Sequence, residues 1–424
     1  MGEPSDILSP RDAAGAIVRR LRAHGFTAYL AGGCVRDELL GQVPKDFDVA
    51  TDARPDDIRP LFKRTAEVGA AFGVMLVREF GPTVEVATFR DDGSYSDKRR
   101  PDSVSFSDAR RDALRRDFTV NALFIDPTAE GDDRVIDFVD GRADLTSRTL
   151  RAVGDPDKRL GEDHLRALRG VRFAARYGLA IEERTAGAMR RHAGALEGVS
   201  RERIGEEVRR MLTHASRGRA AALLHELGLA GAVFGPVGPD GGLGGGSGGG
   251  WDGRVMDALA PDASYVAALM ALLIGRGVTV EGPGRAGDAA RGLRRALLLS
   301  NAERDGLRDG LATLGVLRGG WDAMGEAGRK RLASGGGFAD AFAVLAAADP
   351  ARGHAVGAEV ERLRGRFGGL CPDAWVDGGV LISLGLRPGP RFAEILDAVY
   401  DAQLEGRAST AQEAIELARS MAAG

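Results

Sequence analysis

Two short stretches near the start of the chain decide its fold: Gly32-Gly33-Cys34-Val35-Arg36-Asp37 and, a few residues later, Asp46-Phe47-Asp48. The first follows a strand-like run, Thr27 to Leu30, and precedes a helical one. Its two glycines therefore let backbone amides approach an anion at a helix N-terminus. Arg36 adds a guanidinium fork that suits a phosphate. This first stretch predicts a phosphate-binding site.

The second stretch carries two carboxylates. If Asp46 to Ala50 is a strand, alternation places Asp46 and Asp48 on one face and turns Phe47 into the core. Two carboxylates held on a rigid strand are what a pair of Mg²⁺ ions requires. Such a pattern alone is more often a solvated surface turn, but the glycines and the arginine upstream favour catalysis. We therefore predict Asp46 and Asp48 as metal ligands and Mg²⁺ as the cofactor.

The pattern of apolar residues changes along the chain. In the first 150 residues β-like and helical runs alternate, and Gly73 to Glu79 with Val84 to Phe89 predict a hairpin around Gly81-Pro82. After Leu150, Ala, Leu and Arg recur at helical spacing. The prediction is an α+β protein with a mixed-sheet head followed by an all-helical remainder.

Composition limits the remaining possibilities. Of the 424 residues 44% are hydrophobic and 28% charged, which is typical of a soluble globular protein of several domains. We find no apolar run long enough to span a membrane and no signal-peptide pattern, and the two distant cysteines fit a reducing compartment. Cytoplasmic location is the expectation. The formal net charge is −3, so any nucleic-acid surface must be local.

Further motifs extend the pattern established by the first two stretches. Together they resemble the class II tRNA nucleotidyltransferase and bacterial poly(A) polymerase family, whose head is polymerase-β-like. The segments that carry the resemblance are Gly32 to Asp37, Leu39 to Gly41, Asp46 to Thr51, Ser94 to Asp97, Arg99 to Val104, Arg115 to Leu123, Asp140 to Leu145, Arg148 to Arg151, and Glu162 to Arg166. Agreement is dense to about residue 212 and then fades.

The resemblance implies a division of labour along the chain. Residues 1–150 are expected to form the catalytic head, and residues 151–212 a helical neck that selects the nucleobase. Residues 213–350 are expected to form a helical body that contains a glycine-rich linker, 241–250. Residues 351–424 are expected to form a helical tail that binds RNA, where Arg387, Arg391 and Arg407 are candidate phosphate contacts, although a solvated charge is the more common role of such residues.

The resemblance also assigns roles inside the head. Glu85 stands on a neighbouring strand where the family usually carries a third carboxylate, so it is expected at the catalytic centre. Arg116 is expected to hold the triphosphate, while Asp117 and Asn121 hydrogen-bond the ribose hydroxyls.

In the neck, the resemblance implies that two residues replace a nucleic-acid template. Cytosine and adenine both present an amino group beside a ring-nitrogen acceptor, so a carboxylate can accept from the first and a guanidinium can donate to the second. Asp163 and Arg166 would do this on an amphipathic helix predicted from Glu162 to Arg176, and uracil and guanine would be rejected. The alternative is an ordinary salt-bridged helix face.

Other charged residues of the neck are given supporting roles. Arg169 and Arg172 continue the same row and are expected to neutralise the triphosphate or the RNA end. The segment from Ser200 to Glu207 is expected to brace the neck, with Arg203 and Glu207 paired at i, i+4.

The resemblance therefore implies an enzyme that adds CCA to the 3′ end of tRNA from CTP and ATP without a template, releasing pyrophosphate. A poly(A) polymerase, or an enzyme that adds only CC or only A, is the alternative within the family. A silent RNA-binding protein and a small-molecule adenylyltransferase are alternatives outside it. The expected partners are tRNA, CTP and ATP, with no membrane and no protein partner.

Overall fold

The computed structural model describes residues 8–68, 73–93, 103–235, 251–278, 284–364 and 369–423. The predicted linker 241–250 and most of the motif residues between 94 and 104 lie outside these ranges. The chain forms two compact units: residues 1–207 with 223–233, and residues 208–222 with 234–424.

The strands are short. They are β1 (Ala28–Ala31), β2 (Asp48–Thr51), β3 (Thr65–Glu67), β4 (Val74–Val77), β5 (Val84–Thr88), β6 (Arg90–Asp92), β7 (Val104–Phe106), β8 (Phe124–Ile125), β9 (Val135–Ile136), β10 (Thr149–Leu150) and β11 (Ala180–Ile181).

The helices of the first half are α1 (Pro10–Ala23), α2 (Gly33–Leu39), α3 (Pro55–Ile58), α4 (Ala109–Leu114), α5 (Gly141–Thr146), α6 (Pro156–Glu162), α7 (Leu165–Tyr177), α8 (Glu183–Arg191), α9 (Arg201–Leu212), α10 (Arg217–Glu226) and α11 (Ala230–Phe234). Those of the second half are α12 (Arg254–Ala258), α13 (Tyr265–Gly275), α14 (Arg285–Leu297), α15 (Asn301–Gly319), α16 (Glu326–Ser334), α17 (Phe338–Ala348), α18 (Pro350–Arg364), α19 (Gly378–Ser383), α20 (Pro390–Glu405) and α21 (Ala411–Ala423).

One mixed sheet organises the head, as predicted. Its strand order is β3-β4-β5-β2-β1-β8-β9, with β2 and β5 parallel and every other neighbouring pair antiparallel. The predicted hairpin is β4 with β5, in which Val77 pairs with Val84. Alternation along β5 buries Val84 and Val86 and leaves Glu85 exposed. Glu85 therefore lies on the opposite face of β5 from these valines, and this side is the polar face of the head.

The helical remainder is confirmed, with one small exception. The two-residue strand β11 pairs in parallel with β10, and sequence periodicity missed it because two residues are too few to show alternation. Within the described ranges we find no helix that is both long and apolar enough to cross a membrane.

Helix α7 packs closely against the head because one position carries no side chain. Leu165, Leu168, Val171 and Ala175 form its buried face, as predicted from their spacing. At Gly170 an added Cβ would lie 2.3 Å from Cε of Met189 and 2.9 Å from the ring of Phe118.

Gly170→Ala is therefore expected to lower the unfolding free energy by about 1–3 kcal/mol, because the buried Phe118 ring must move. Gly187→Ala on α8 is the matched control, since its Cβ would meet only the flexible end of Arg191 at 3.3 Å. That control should be neutral or stabilising by up to about 1 kcal/mol. Urea denaturation of both variants measures the difference, and equal stabilities would refute the tight packing of α7.

The second unit is built around an apolar helix. In α13 every residue from Ala267 to Leu273 is buried, so the helix is hydrophobic on all sides, which is typical of a central core helix. Helices α19 to α21 share a separate apolar cluster that includes Leu381, Ile395 and Val399. Of the predicted phosphate contacts, Arg391 donates to the Met421 carbonyl at 3.0 Å, Arg407 pairs with Glu405 at 2.7 Å, and Arg387 is exposed.

Candidate active site

A cavity of about 620 Å³ opens on the polar face of the head, and its wall is completed by the start of α7. It gathers eleven of the thirteen residues predicted from the sequence. They are Gly32, Gly33, Arg36, Asp48, Glu85, Arg116, Asp117, Asn121, Asp163, Arg166 and Arg169. Asp46 and Arg172 do not line it.

The glycine pair forms one edge of the cavity. Gly32 has a φ of +75°, which favours glycine, and α2 begins at Gly33. A Cβ at Gly32 would lie 3.1 Å from a guanidinium nitrogen of Arg116. The turn therefore places bare backbone beside a cation, as expected of a phosphate site.

Three carboxylates approach one another beside this turn. Asp48 on β2 pairs in register with Glu85 on β5, so the two side chains leave the same face of neighbouring strands. Burial raises the pKa of Asp48 to about 6, and the negative charges of Glu85 and Asp46 add to the rise, while Arg116 opposes it. An accumulation of negative charge at this point favours a bound cation.

The strand was predicted to begin at Asp46, and this start was wrong. Strand β2 begins at Asp48, because β1 ends at Ala31, the residue paired with Asp48, and Asp46 has no partner strand. Phe47 is buried as expected, and Asp46 is exposed in the preceding loop. Across the part of the chain that the structure describes, no three acidic, histidine or cysteine side chains are already arranged as a metal site. The charge of the carboxylates is what fits a metal here.

Two arginines on the cavity wall are held by one buried aspartate. Asp112 on α4 is 2% exposed and accepts from Arg115 at 2.6 Å and from Arg116 at 2.8 Å. Arg116 also donates to the backbone carbonyl of Asn121 at 3.0 Å. Sequence reasoning missed Asp112, although its i, i+3 and i, i+4 spacing to the two arginines was a signal.

Asp117 lies at the centre of a second network. Arg169 donates to its carboxylate at 2.8 Å, and the side-chain amide of Asn121 donates at 3.1 Å. Burial by itself raises the pKa of Asp117, but the charge of Arg169 and the hydrogen bond from Asn121 lower it to about 2. Asp117 is therefore a carboxylate at any physiological pH.

This network predicts a specific acid response. Because the folded-state pKa of Asp117 is depressed, its contribution to stability is full above its unfolded value, near 4, and is lost as the pH falls towards 2. We expect about 2 kcal/mol from this group. Asp117→Asn should be less stable than the wild type at pH 6, and the gap should narrow by pH 3 in urea titrations. A gap that stays constant with pH would contradict the assignment.

Asp163 is placed differently from its prediction as a helix residue. Helix α6 ends at Glu162, Asp163 has an extended backbone, and α7 starts at Leu165. The Asp163 carboxylate accepts from the Leu165 amide at 3.0 Å, which satisfies a free donor at the start of α7 and breaks the helix that was predicted to be continuous. The carboxylate is thus fixed at the cavity wall.

The guanidinium of Arg203 holds the same carboxylate with two bonds, at 2.6 and 3.2 Å. Arg203 itself lines the cavity. The predicted pairing of Arg203 with Glu207 is therefore wrong, since Glu207 instead accepts from Arg172 at 2.6 Å. This pairing also directs Arg172 away from the cavity. The position of Arg203 in a motif was the available signal, but spacing within one helix suggested the wrong partner.

Arg166 lies on the first turn of α7 and is held in place by hydrogen bonds to protein groups. It donates to the carboxylate of Glu162 at 2.5 Å and to the backbone carbonyl of Arg159 at 2.8 Å. Both bonds lie within unit 1. The i, i+4 pair of Glu162 with Arg166 is present, yet Arg166 also lines the cavity, so the two roles coexist.

Arg36 is the most enclosed of the predicted phosphate residues. The residue is 5% exposed, and its side-chain hydrogen bonds go to Asn121, Tyr177 and Asp37. Tyr177 was not recognised from the sequence, because only the folded chain brings the end of α7 next to α2.

Comparison with known proteins agrees with this geometry. Residues 28–151 match the poly(A) polymerase head domain, and residues 178–238 match a probable RNA- and SrmB-binding site of polymerase A. These matches cover the head and the beginning of the helical region, so this part of the chain resembles the poly(A) polymerase family. The fold class and the family resemblance inferred from the motifs are thereby confirmed.

Named relatives in this family are CCA-adding enzymes. That of Enterococcus faecalis is 45% identical over 205 residues, covering 48% of this chain and 50% of the relative. That of Geobacillus stearothermophilus is 40% identical over 221 residues, covering 52% and 54%. The chain thus aligns with about half the length of the curated relatives it matches. A crystal structure of the Bacillus stearothermophilus CCA-adding enzyme in complex with CTP superposes with a TM-score of 0.74 at 29% identity, covering 94% of both chains.

Proposed function

We propose that this protein adds CCA to the 3′ end of tRNA, using CTP and ATP and releasing pyrophosphate. The observation that carries the proposal is a single cavity that contains both an acidic pair, Asp48 with Glu85, and the base-reading pair, Asp163 with Arg166. The names of the relatives and the CTP complex of one of them support the same substrates.

The acidic groups suit Mg²⁺, a hard cation that prefers carboxylate oxygens. Asp46 and Asp48 would hold it, with Glu85 beside them. A cation bound there lowers the pKa of the RNA 3′-hydroxyl and neutralises charge on the reacting phosphate. The raised pKa of Asp48 supports this assignment, because a carboxylate that is costly to ionise alone gains most from a positive neighbour.

The protein's own residues orient the nucleotide for attack in line on its α-phosphate. The amides around Gly32 and Gly33 and the guanidinium of Arg116 face the triphosphate. Asp117 and Asn121 lie beside them to bind the ribose hydroxyls. Arg169 pairs with Asp117 but also lines the cavity, so it can contact the phosphates.

The base is read by groups whose orientation the protein fixes beforehand. The Arg203 pair and the Leu165 amide occupy three acceptor positions of the Asp163 carboxylate, which leaves Oδ2 able to accept from a base amino group. Arg166 donates to the ring nitrogen beside it. Since uracil and guanine present a carbonyl and an N–H at these positions, both contacts become repulsive.

The alternative within the family is a poly(A) polymerase or an enzyme that adds only part of CCA. The test is to incubate the protein with tRNA transcripts that end before CCA, after C, and after CC, together with all four nucleotides, and to resolve the products at single-nucleotide length. Completion of CCA on all three transcripts, followed by a stop, is the expected result. Long adenosine tails or arrest after CC would contradict the proposal.

A further inference from the structure

The guanidinium of Arg36 lines the cavity but makes four hydrogen bonds to protein groups. It donates to Oδ1 of Asn121 at 2.5 Å, to the hydroxyl of Tyr177 at 2.5 Å, and to Asp37 at 2.7 Å. Its carbon lies 4.1 Å from the ring centre of Tyr177 and 5.1 Å from that of Phe173. A side chain that is enclosed in this way and satisfied by this many acceptors is poorly placed to bind a phosphate.

The bond to Asn121 has a consequence for the amide of that residue. A guanidinium can only donate, so it must face Oδ1 of Asn121. The carboxylate of Asp117 can only accept, so it must face Nδ2, from which it receives a bond at 3.1 Å. The low pKa of Asp117 keeps it in this accepting form. Rotation of the amide by 180° would break both bonds.

The orientation leaves one polar hydrogen of Asn121 unused by this pair of partners. Nδ2 carries two hydrogens, and Asp117 takes one of them. Asn121 lines the cavity and is hydrogen-bonded to both Arg116 and Asp117, where a nucleotide sugar is expected. The second N–H is therefore available to a hydroxyl oxygen of the sugar.

We propose that Arg36 is a positioning residue that fixes the Asn121 amide with its donor towards the nucleotide sugar, and so makes the site prefer ribonucleotides to 2′-deoxyribonucleotides. This assignment rests on the nucleotide-binding part of the proposed function. It replaces the phosphate-binding role that sequence alone suggested for Arg36. Without Arg36 only the Asp117 carboxylate orients the amide, so the donor is fixed less firmly towards the sugar and the discrimination weakens.

The test is to measure the dissociation constants of ATP and dATP for the full-length protein without RNA, in the wild type and in Arg36→Met. The wild type is expected to bind ATP more tightly. In Arg36→Met the dissociation constant of dATP divided by that of ATP should fall by roughly tenfold, since the two nucleotides differ by one hydrogen bond. An unchanged ratio, or a wild type that does not distinguish the two nucleotides, would overturn the proposal.

The phosphate-binding role gives a different result. If Arg36 held the triphosphate, Arg36→Met would weaken ATP, dATP and inorganic tripolyphosphate by the same factor and leave the ratio unchanged. Tyr177→Phe provides a second variant that keeps the charge of Arg36 but removes one of its acceptors. It should lower the ratio by a smaller factor, whereas phosphate binding by Arg36 predicts no change.

Arg20→Met is the matched control for loss of a stacked arginine. Arg20 also lies over two rings, Phe62 at 5.2 Å and Phe80 at 5.0 Å, and pairs with Glu79, but it is outside the cavity. For Arg20→Met the ratio of the dATP to the ATP dissociation constant should equal that of the wild type, although its melting temperature should fall about as much as that of Arg36→Met. If Arg36→Met loses the distinction between ATP and dATP while the wild type does not extend tRNA, the proposed function fails and the role of Arg36 stands.

Discussion

Asp48→Asn is expected to reduce nucleotide incorporation roughly a thousandfold or more. The substitution removes the carboxylate charge on β2 that we assign to metal binding, while its size and its hydrogen-bonding reach stay almost the same. The measurement is the single-turnover rate of addition to tRNA ending in CC. Asp56→Asn is the matched control, because Asp56 is a surface carboxylate of α3 whose side chain is 92% exposed.

The same variant should be more stable than the wild type at pH 8 in the absence of divalent metal. The folded-state pKa of Asp48 is raised above its unfolded value, so its contribution to stability is full below about 4 and is lost as the pH rises through about 6. We expect a gain on the order of 1–2 kcal/mol at pH 8, after allowance for partial solvent access, and none at pH 4. Wild-type turnover by Asp48→Asn, or a stability below that of the wild type at pH 8, would contradict the role of Asp48.

Asp163→Ala should have the second-largest effect, and on selectivity more than on rate. Loss of one charge-assisted hydrogen bond costs about 1.5–3 kcal/mol, which corresponds to a factor of roughly 10 to 150. The ratios of kcat/KM for CTP over UTP and for ATP over GTP should fall by that factor, because the repulsion of a base carbonyl disappears. Affinity for the triphosphate should change less, since other groups hold it.

The control for this variant is Asp157→Ala on α6. Asp157 is another aspartate of the neck with an arginine partner, Arg191 at 2.7 Å, but it lies outside the cavity. Its nucleotide ratios should match the wild type. If the ratios of Asp163→Ala also stay at the wild-type level while the rate falls, the carboxylate is a structural brace for Arg203 and α7.

Much of the head could be predicted because its signals are local. The hairpin of β4 and β5 follows from alternation and a Gly-Pro turn, and the buried face of α7 follows from four apolar residues at helical spacing. The glycine turn and the strand with Asp48 lie within a few residues of each other, so one motif reported both.

What could not be predicted depends on contacts between distant residues. The break at Asp163 arises from its bond to the Leu165 amide and from Arg203, forty residues away. Helical spacing alone favoured a continuous helix and gave Arg203 a partner on its own helix. Likewise the enclosure of Arg36 depends on Tyr177, so a phosphate role was the natural prediction from a motif of glycines and one arginine.

If the protein's own side chains read the base, the selection must be visible in nucleotide binding in the absence of any RNA. Calorimetric titration of the full-length protein with each of the four ribonucleoside triphosphates, at saturating Mg²⁺, gives four dissociation constants under one condition. We expect CTP and ATP to bind at least about tenfold more tightly than UTP and GTP. Four equal constants would contradict base reading by the protein, because the selection would then have to come from the RNA.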